Sequence, residues 1–343
     1  MDIPAIPKDL PDCFEFGNGS CPNSSRTLGV KRTMYFFMGS SITITILGNL
    51  GLMISITHFK QLQSQSNSII LSMATTDFLL GVAIMPYSMI RSVESCWYFG
   101  YTFCKLHASF DLMLSVTSIF HLCSIAIDRY CAVCNPLHYS NTMTKPVIKS
   151  LLLLCWLVPG IFAFGLVLSE ENASGIDGYK TLVSCFNFCA LVFNKLWGTV
   201  VFTSCFFTPG SVMVVIYINI FAVSKRHAKM INNMPENANN TVKGQFSKKK
   251  DRKAAKTLGI IMGVFLTCWL PAFITVLIDP FFGFSTPTVL FDMLIWLGYF
   301  NSTCNPLIHG FFYKWFRRAL WHIVSGKIFD HSSSSIDLFR ETT

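Results

Sequence analysis

The chain has 343 residues, of which 52% are hydrophobic and only 13% charged, about half the charged share of a soluble protein. That balance excludes a disordered chain and an ordinary cytosolic enzyme, and 13 cysteines are too few for a scaffold built on disulfides. A net charge of +9 invites a nucleic-acid reading, which the placement of that charge answers. Residues 1–11 lack the apolar core of a cleavable signal peptide, so the first apolar stretch is expected to serve as its own insertion signal. Runs of about 18 or more apolar residues read as membrane-crossing helices, because about 20 residues cross a hydrocarbon core of about 30 Å. Residues 34–56 carry no charge, 69–90 carry only Asp77, and 108–127 only Asp111. Residues 150–169, 196–224, 257–278 and 293–312 carry none, although the last holds Asn301, Asn305 and His309. The expected fold is all-α: a seven-helix membrane bundle over residues 33–312, preceded by a polar segment, 1–32. Residues 313–343 follow as a short amphipathic helix and a flexible tail.

Seven spans put the two ends on opposite sides. With the N-terminus outside, 19 of the 27 Lys and Arg fall inside, as the basic bias of cytoplasmic loops requires. The basic surplus is then an orientation signal and needs no nucleic acid. Sequons at Asn18, Asn23 and Asn172 fall outside, where glycans can be attached. No internal repeat relates the two halves, which argues against a transporter.

An acid in mid-span costs about 2.5–3.5 kcal/mol on insertion scales and is a functional candidate by default. Asp111 lies seven residues after Cys104, at a depth where an anion suits a cationic ligand; a contact between helices is the alternative. Asp77 has Asn49, Ser118, Asn301 and Asn305 for company on other spans. Such oxygen-rich clusters suit Na⁺, or form a structural network. Pro86, Pro159, Pro209, Pro271 and Pro306 each sit inside a span, where the missing N–H bends a helix.

Span by span, the residues resemble the rhodopsin-like G-protein-coupled receptors. The likeness runs through Gly48-Asn49, Asp77, Asp128-Arg129-Tyr130, Trp156, Pro209 with Tyr217, Cys268-Trp269-Leu270-Pro271 and Asn305-Pro306. It covers residues 30–327. The string NSTCNPLIHGFFYKWF (Asn301–Phe316), with HFKQL, MATTDFLLG, ESCWYFG and RKAAKTLGIIMGVF, is similar to the trace amine-associated receptors. That resemblance implies detection of volatile or trace amines in olfactory neurons, a stimulatory G protein of olfactory type and raised cAMP.

By the same resemblance, Asp111 clamps the ligand ammonium. The pocket positions are Leu112, Ser115, Val201, Phe202, Cys205, Trp269, Ala272, Phe273, Trp296 and Tyr299, with Tyr299 donating to the Asp111 carboxylate. Val201 and Cys205 stand where catecholamine receptors carry hydroxyls, and the fifth span has no second acid. Small primary alkyl or arylalkyl amines are the expected ligands, and polyamines are not. The resemblance pairs Cys104 with Cys189 and Cys21 with Cys185, leaving Cys13 and Cys96 unassigned. It joins Arg129 to Asp128 and to Asp251, and gives Ile119, Pro209 and Phe265 the packing switch. It matches Tyr217 and His309 to the pair that closes through water on activation, where the superfamily normally has two tyrosines. Trp315, Phe316, Ala319 and Leu320 form the apolar face of an eighth helix on the membrane surface. A receptor for a peptide or lipid, or an ion-conducting protein, are the alternatives; no nucleophile–base set points to an enzyme.

Overall fold

The computed structural model describes residues 26–177, 179, 189–232, 238–330 and 333–339, with side chains for all but 227–232, 238–256 and 258. Among the described residues there is no strand. Seven long helices form the bundle: α1 (Leu28–His58), α2 (Gln65–Glu94), α3 (Gly100–Cys134) and α4 (Lys145–Leu168) come first. Then come α5 (Lys195–Val201, continuing through a π turn into Thr208–Asn232), α6 (Ala238–Ile278) and α7 (Thr288–Phe312). A short α8, Lys314–Val324, completes the set.

Local chemistry sets the helix ends. Thr27, Ser64 and Asn194 accept bonds from backbone N–H groups in the first turns of α1, α2 and α5, supplying the partners those groups otherwise lack. Pro146 opens α4 where a missing N–H costs nothing. Ser95, in the left-handed region at φ 56°, stops α2.

Six of the helices, α1 to α6, are long and apolar enough to cross a membrane. Their outward faces are apolar: Leu153, Leu157 and Ile161 of α4 and Phe36, Phe37 and Leu47 of α1 are exposed, as suits side chains facing lipid. The seventh, α7, is the exception, because Asn301, Ser302, Thr303, Asn305 and His309 give it a buried polar face. Close approach replaces hydrophobic contrast where it meets its neighbours. A Cβ on Gly48 of α1 would lie 2.7 Å from the Pro306 ring, and Thr303 shares hydroxyl contacts with Ser41 (2.7 Å) and Thr45 (2.8 Å). Small residues and hydroxyls of this kind join helices in a membrane.

Two of the expected proline bends take a specific form. The π turns Leu80–Ile84 and Phe202–Phe207 lie just before Pro86 and Pro209, so a widened turn takes up the broken ladder. The α8 helix turns Trp315, Phe316 and Ala319 inward, and Arg317 caps α7 by donating to the carbonyls of Gly310 and Phe311, both at 2.9 Å.

The expected flexible tail is corrected for residues 333–339. Leu338 is only 1% exposed and packs among Leu52, Phe59, Leu62 and Trp315. Its carbonyl accepts from Arg318 (3.0 Å) and its N–H donates to Gln61 (3.0 Å), while His58 and Ser333 are 3.0 Å apart.

Candidate functional site

At the end of the bundle that bears the Cys104–Cys189 disulfide, helices α2, α3, α5, α6 and α7 enclose a cavity of about 80 Å³. Asp111 is its acid. Tyr299, fully buried on α7, donates its hydroxyl to Asp111 Oδ2 at 2.6 Å, and Ser115, one turn along α3, lies 3.4 Å from Oδ1. Ser88 sits 3.3 Å from the Tyr299 hydroxyl and 3.4 Å from His107 Nε2. His107 also reaches the Ile84 carbonyl at 3.2 Å. The carboxylate thus has one oxygen held by a phenol that is itself held, and the other in only a long contact with Ser115.

The walls are apolar. Leu112, Val201, Ala272, Phe273 and Trp269 line the cavity, as expected. The Trp269 indole N–H is buried in this wall without a protein hydrogen-bond partner.

Three expected lining residues are not there. Phe202 and Cys205 belong to the π turn of α5; Phe202 packs against Phe206 and Phe207, and Cys205 is buried in the core. Trp296 stands edge-on behind Tyr299, ring centroids 5.5 Å apart, and donates to Ser92 at 3.2 Å.

In their place are residues that sequence reasoning did not find: Leu191 and Phe193 from the loop after Cys189, Phe291 and Ile295 from α7, and Arg91 from α2. Arg91 donates to the Cys189 carbonyl at 3.1 Å and lies 3.6 Å from Asp292 of α7. The disulfide brings the loop across the mouth. Beside it, Lys105 pairs with Glu170, and Tyr101 donates to Glu170 at 2.5 Å. Tyr179 donates to the Ala190 carbonyl; burial, with Tyr101 and Glu170 nearby, pushes its phenol up to about 12.

Cys21, Cys185, Asn18 and Asn23 lie outside the described residues. Cys96, left unassigned by the resemblance, is disulfide-bonded. Asn172 of the third external sequon is buried, and its amide donates to the Val192 carbonyl at 2.9 Å.

In mid-bundle, Asp77 is fully buried and accepts from Ser118 (2.9 Å), Ser302 (2.7 Å) and Asn305 (2.7 Å). Ser302 is the donor among these that the sequence reading did not name. The side-chain oxygens of Asn301 and Asn49 are buried without donors, so the cluster holds spare acceptors of the kind a hard monovalent cation takes.

The far end holds a second cavity, of about 380 Å³, lined by Arg129, Thr257, His309, Tyr313, Leu338 and Phe339 among others. Arg129 pairs with Asp128 through Nε at 2.9 Å. Asp128 also accepts from Ser66 and, at 2.8 Å, from Tyr139, whose phenol burial raises, so that it stays a donor. The Asp251 side chain lies outside the described residues. Tyr130 is partly buried against the core that contains Ile119 and Phe265, both fully buried. Phe206, of the π turn before Pro209, stacks on Phe265 at 5.6 Å. Tyr217 and His309 each have other partners. Tyr217 lies against Gly259, where a Cβ would come within 2.7 Å of its hydroxyl. His309 bonds the Asn305 carbonyl at 2.8 Å and stacks on Tyr313 at 5.2 Å.

The model of the seven-transmembrane receptors of the rhodopsin family matches residues 48–309. Trace amine-associated receptor 3 of Rattus norvegicus and that of Mus musculus are each 65% identical over 341 residues, 99% of both chains. Trace amine-associated receptor 2 of Homo sapiens is 66% identical over 322 residues, 94% of this chain and 90% of the relative.

Proposed function

Because the chain belongs to the rhodopsin-family seven-transmembrane receptors, and among them to the trace amine-associated receptors, we propose that it senses small amines and raises cAMP through a stimulatory G protein of olfactory type. Membership makes it a multi-pass receptor of the plasma membrane and not an enzyme, with a ligand and a heterotrimeric G protein as partners. The observation that carries the amine reading is the Asp111 carboxylate, fixed by Tyr299 at 2.6 Å in a small cavity with apolar walls. An ammonium there gains a charge-assisted hydrogen bond away from bulk water. The walls exclude water from an alkyl or aryl tail, and aromatic faces at Trp269 and Phe273 suit either. The cavity offers ring hydroxyls little beyond Ser115, which favours primary alkyl or arylalkyl amines.

In this reading the disulfide end faces outside with the N-terminus, and Asn18 and Asn23 carry glycans. The cavity around Arg129 opens to the cytoplasm and receives the G protein when the Asp128–Arg129 pair parts. Asp77, Ser118, Asn301 and Asn305 would hold Na⁺, supplying a positive charge next to the buried acid.

The test is cAMP production in cells carrying an olfactory-type stimulatory G protein, against amines graded from primary to tertiary and from alkyl to aryl. Responses to primary amines that vanish in Asp111→Asn at equal surface expression are expected. Responses that survive Asp111→Asn would sink the proposed clamp.

A further inference from the structure

The cavity that holds Asp111 also holds a cation of its own. Arg91 reaches in from α2, its guanidinium bonded to the Cys189 carbonyl and facing Asp292 of α7 at 3.6 Å. The two side chains are mostly shielded, 14% and 22% exposed. Arginine at this place is unexpected in a site for cations, since its charge opposes the ligand's. Its position explains it. Asp292 precedes Tyr299 by seven residues on α7, two helical turns and about 10 Å toward the mouth, on the same face. Tyr299 touches Asp111, so the cleft has one carboxylate at its floor and a second about two turns above. Phe291, Ile295 and Tyr299 of α7 line the cavity, whereas Asp292 stands behind the Arg91 guanidinium.

Charge decides what such a cleft accepts. With Arg91 in place, one uncompensated carboxylate remains, and a single ammonium neutralises it. Without Arg91 two carboxylates would face the cleft, and a short flexible α,ω-diamine can bridge them with a hydrogen bond at each end. We propose that Arg91 is the specificity-determining residue of the site: by occupying Asp292 it limits the receptor to ligands with one ammonium and turns diamines away. Rejection works on both charges, since the second ammonium of a diamine would meet the guanidinium itself.

The inference rests on the amine reading above, and the two can fail separately. The experiment compares n-pentylamine with cadaverine, which differ by one terminal amine, in the cAMP assay at matched surface expression. In Arg91→Gln both amines lose an opposing charge, but only the diamine can engage Asp111 and the freed Asp292 together. The cadaverine EC50 is therefore expected to fall about tenfold further than that of n-pentylamine, the scale of one charged hydrogen bond in a half-shielded site. Arg91→Gln with Asp292→Asn should lose the gain, and Arg91→Lys should not produce it. Cadaverine potency that stays fixed, or that shifts in parallel with n-pentylamine, overturns the proposal. Asp292→Asn alone gives an independent arm that does not need Arg91 removed. It leaves the guanidinium uncompensated and should weaken n-pentylamine about tenfold; an unchanged response also overturns it. A wild-type receptor silent to every amine at normal surface level refutes the amine reading first, and this inference with it.

Discussion

Removing one oxygen, in Tyr299→Phe, tests the core of the site. The ring stays, still buried and edge-on to Trp296 at 5.5 Å, so packing changes little. The change removes the 2.6 Å bond to Asp111 Oδ2 and the 3.3 Å contact with Ser88. A hydrogen bond to a charged group contributes about 1.5–3 kcal/mol net. Only part of this appears in ligand affinity, because the bond exists with or without ligand. The share that counts is orientation: Tyr299 holds one carboxylate oxygen and leaves the other for the ammonium. Freed of it, Asp111 samples other rotamers and takes up water, being itself only half-buried. The expected loss is about 1.4 kcal/mol, a tenfold rise in EC50. The assay is an amine dose–response in cAMP beside Asp111→Asn, with surface receptor quantified. A Tyr299→Phe receptor with wild-type potency would refute the orienting role. Potency as poor as that of Asp111→Asn would mean that Tyr299 itself contacts the ligand.

Contacts elsewhere in the bundle set three further outcomes. In Gly298→Ala the new methyl would fall 2.7 Å from the Trp269 ring; the strain should cost about 1–3 kcal/mol, read as a lower melting temperature of purified receptor, and an unchanged value would show that the ring yields freely. His309→Tyr restores the usual residue opposite Tyr217 and gains a hydroxyl, so basal cAMP should rise; unchanged basal signalling counts against any role for His309 in setting it. Leu338→Asp places a carboxylate among Leu52, Phe59 and Trp315, a burial cost of several kcal/mol, so residues 333–339 should undock and lose amide-exchange protection. Protection equal to wild type would mean the segment is not held by Leu338.

Much of this architecture is legible in the sequence because lipid imposes a simple rule: long stretches without charge, interrupted by basic loops. The acids inside those stretches are equally conspicuous, since nothing but function or pairing justifies their cost. Asp111 with Tyr299 and Cys104 with Cys189 are readable through resemblance to a family. Other features depend on geometry that spacing does not carry. Phe202 and Cys205 fall within the π turn of α5, an irregularity that regular helical spacing does not reveal, and they pack on Phe206, Phe207 and the core instead of lining the cavity. Arg91 reads as a charge at a span's end, where a long side chain normally reaches for water; its inward turn is set by Asp292 and the Cys189 carbonyl, both far off in sequence. Leu338 is one apolar residue in a polar tail, and only the hole between α1 and α8 distinguishes it.

The same tension explains α7, the helix that does not meet the apolar criterion for a span. Asp292 and Trp296 meet Arg91 and Ser92 of α2, and Tyr299 meets Asp111 of α3. Ser302 and Asn305 then donate to Asp77 of α2, Thr303 meets α1, and His309 stacks on Tyr313 beside the Arg129 cavity. Nearly every turn exchanges a polar bond with α1, α2 or α3, and those bonds offset the cost of carrying such residues through lipid. Apolar contacts would let α7 slide by small amounts. Hydrogen bonds with fixed partners favour a few discrete positions, since an intermediate one leaves donors unsatisfied in a dry interior. On the proposed amine reading, a ligand drawing Asp111 toward its ammonium would act on α7 through Tyr299. The residues that make α7 a poor span by composition are the ones whose bonds run from the Asp111 cavity to the Arg129 end.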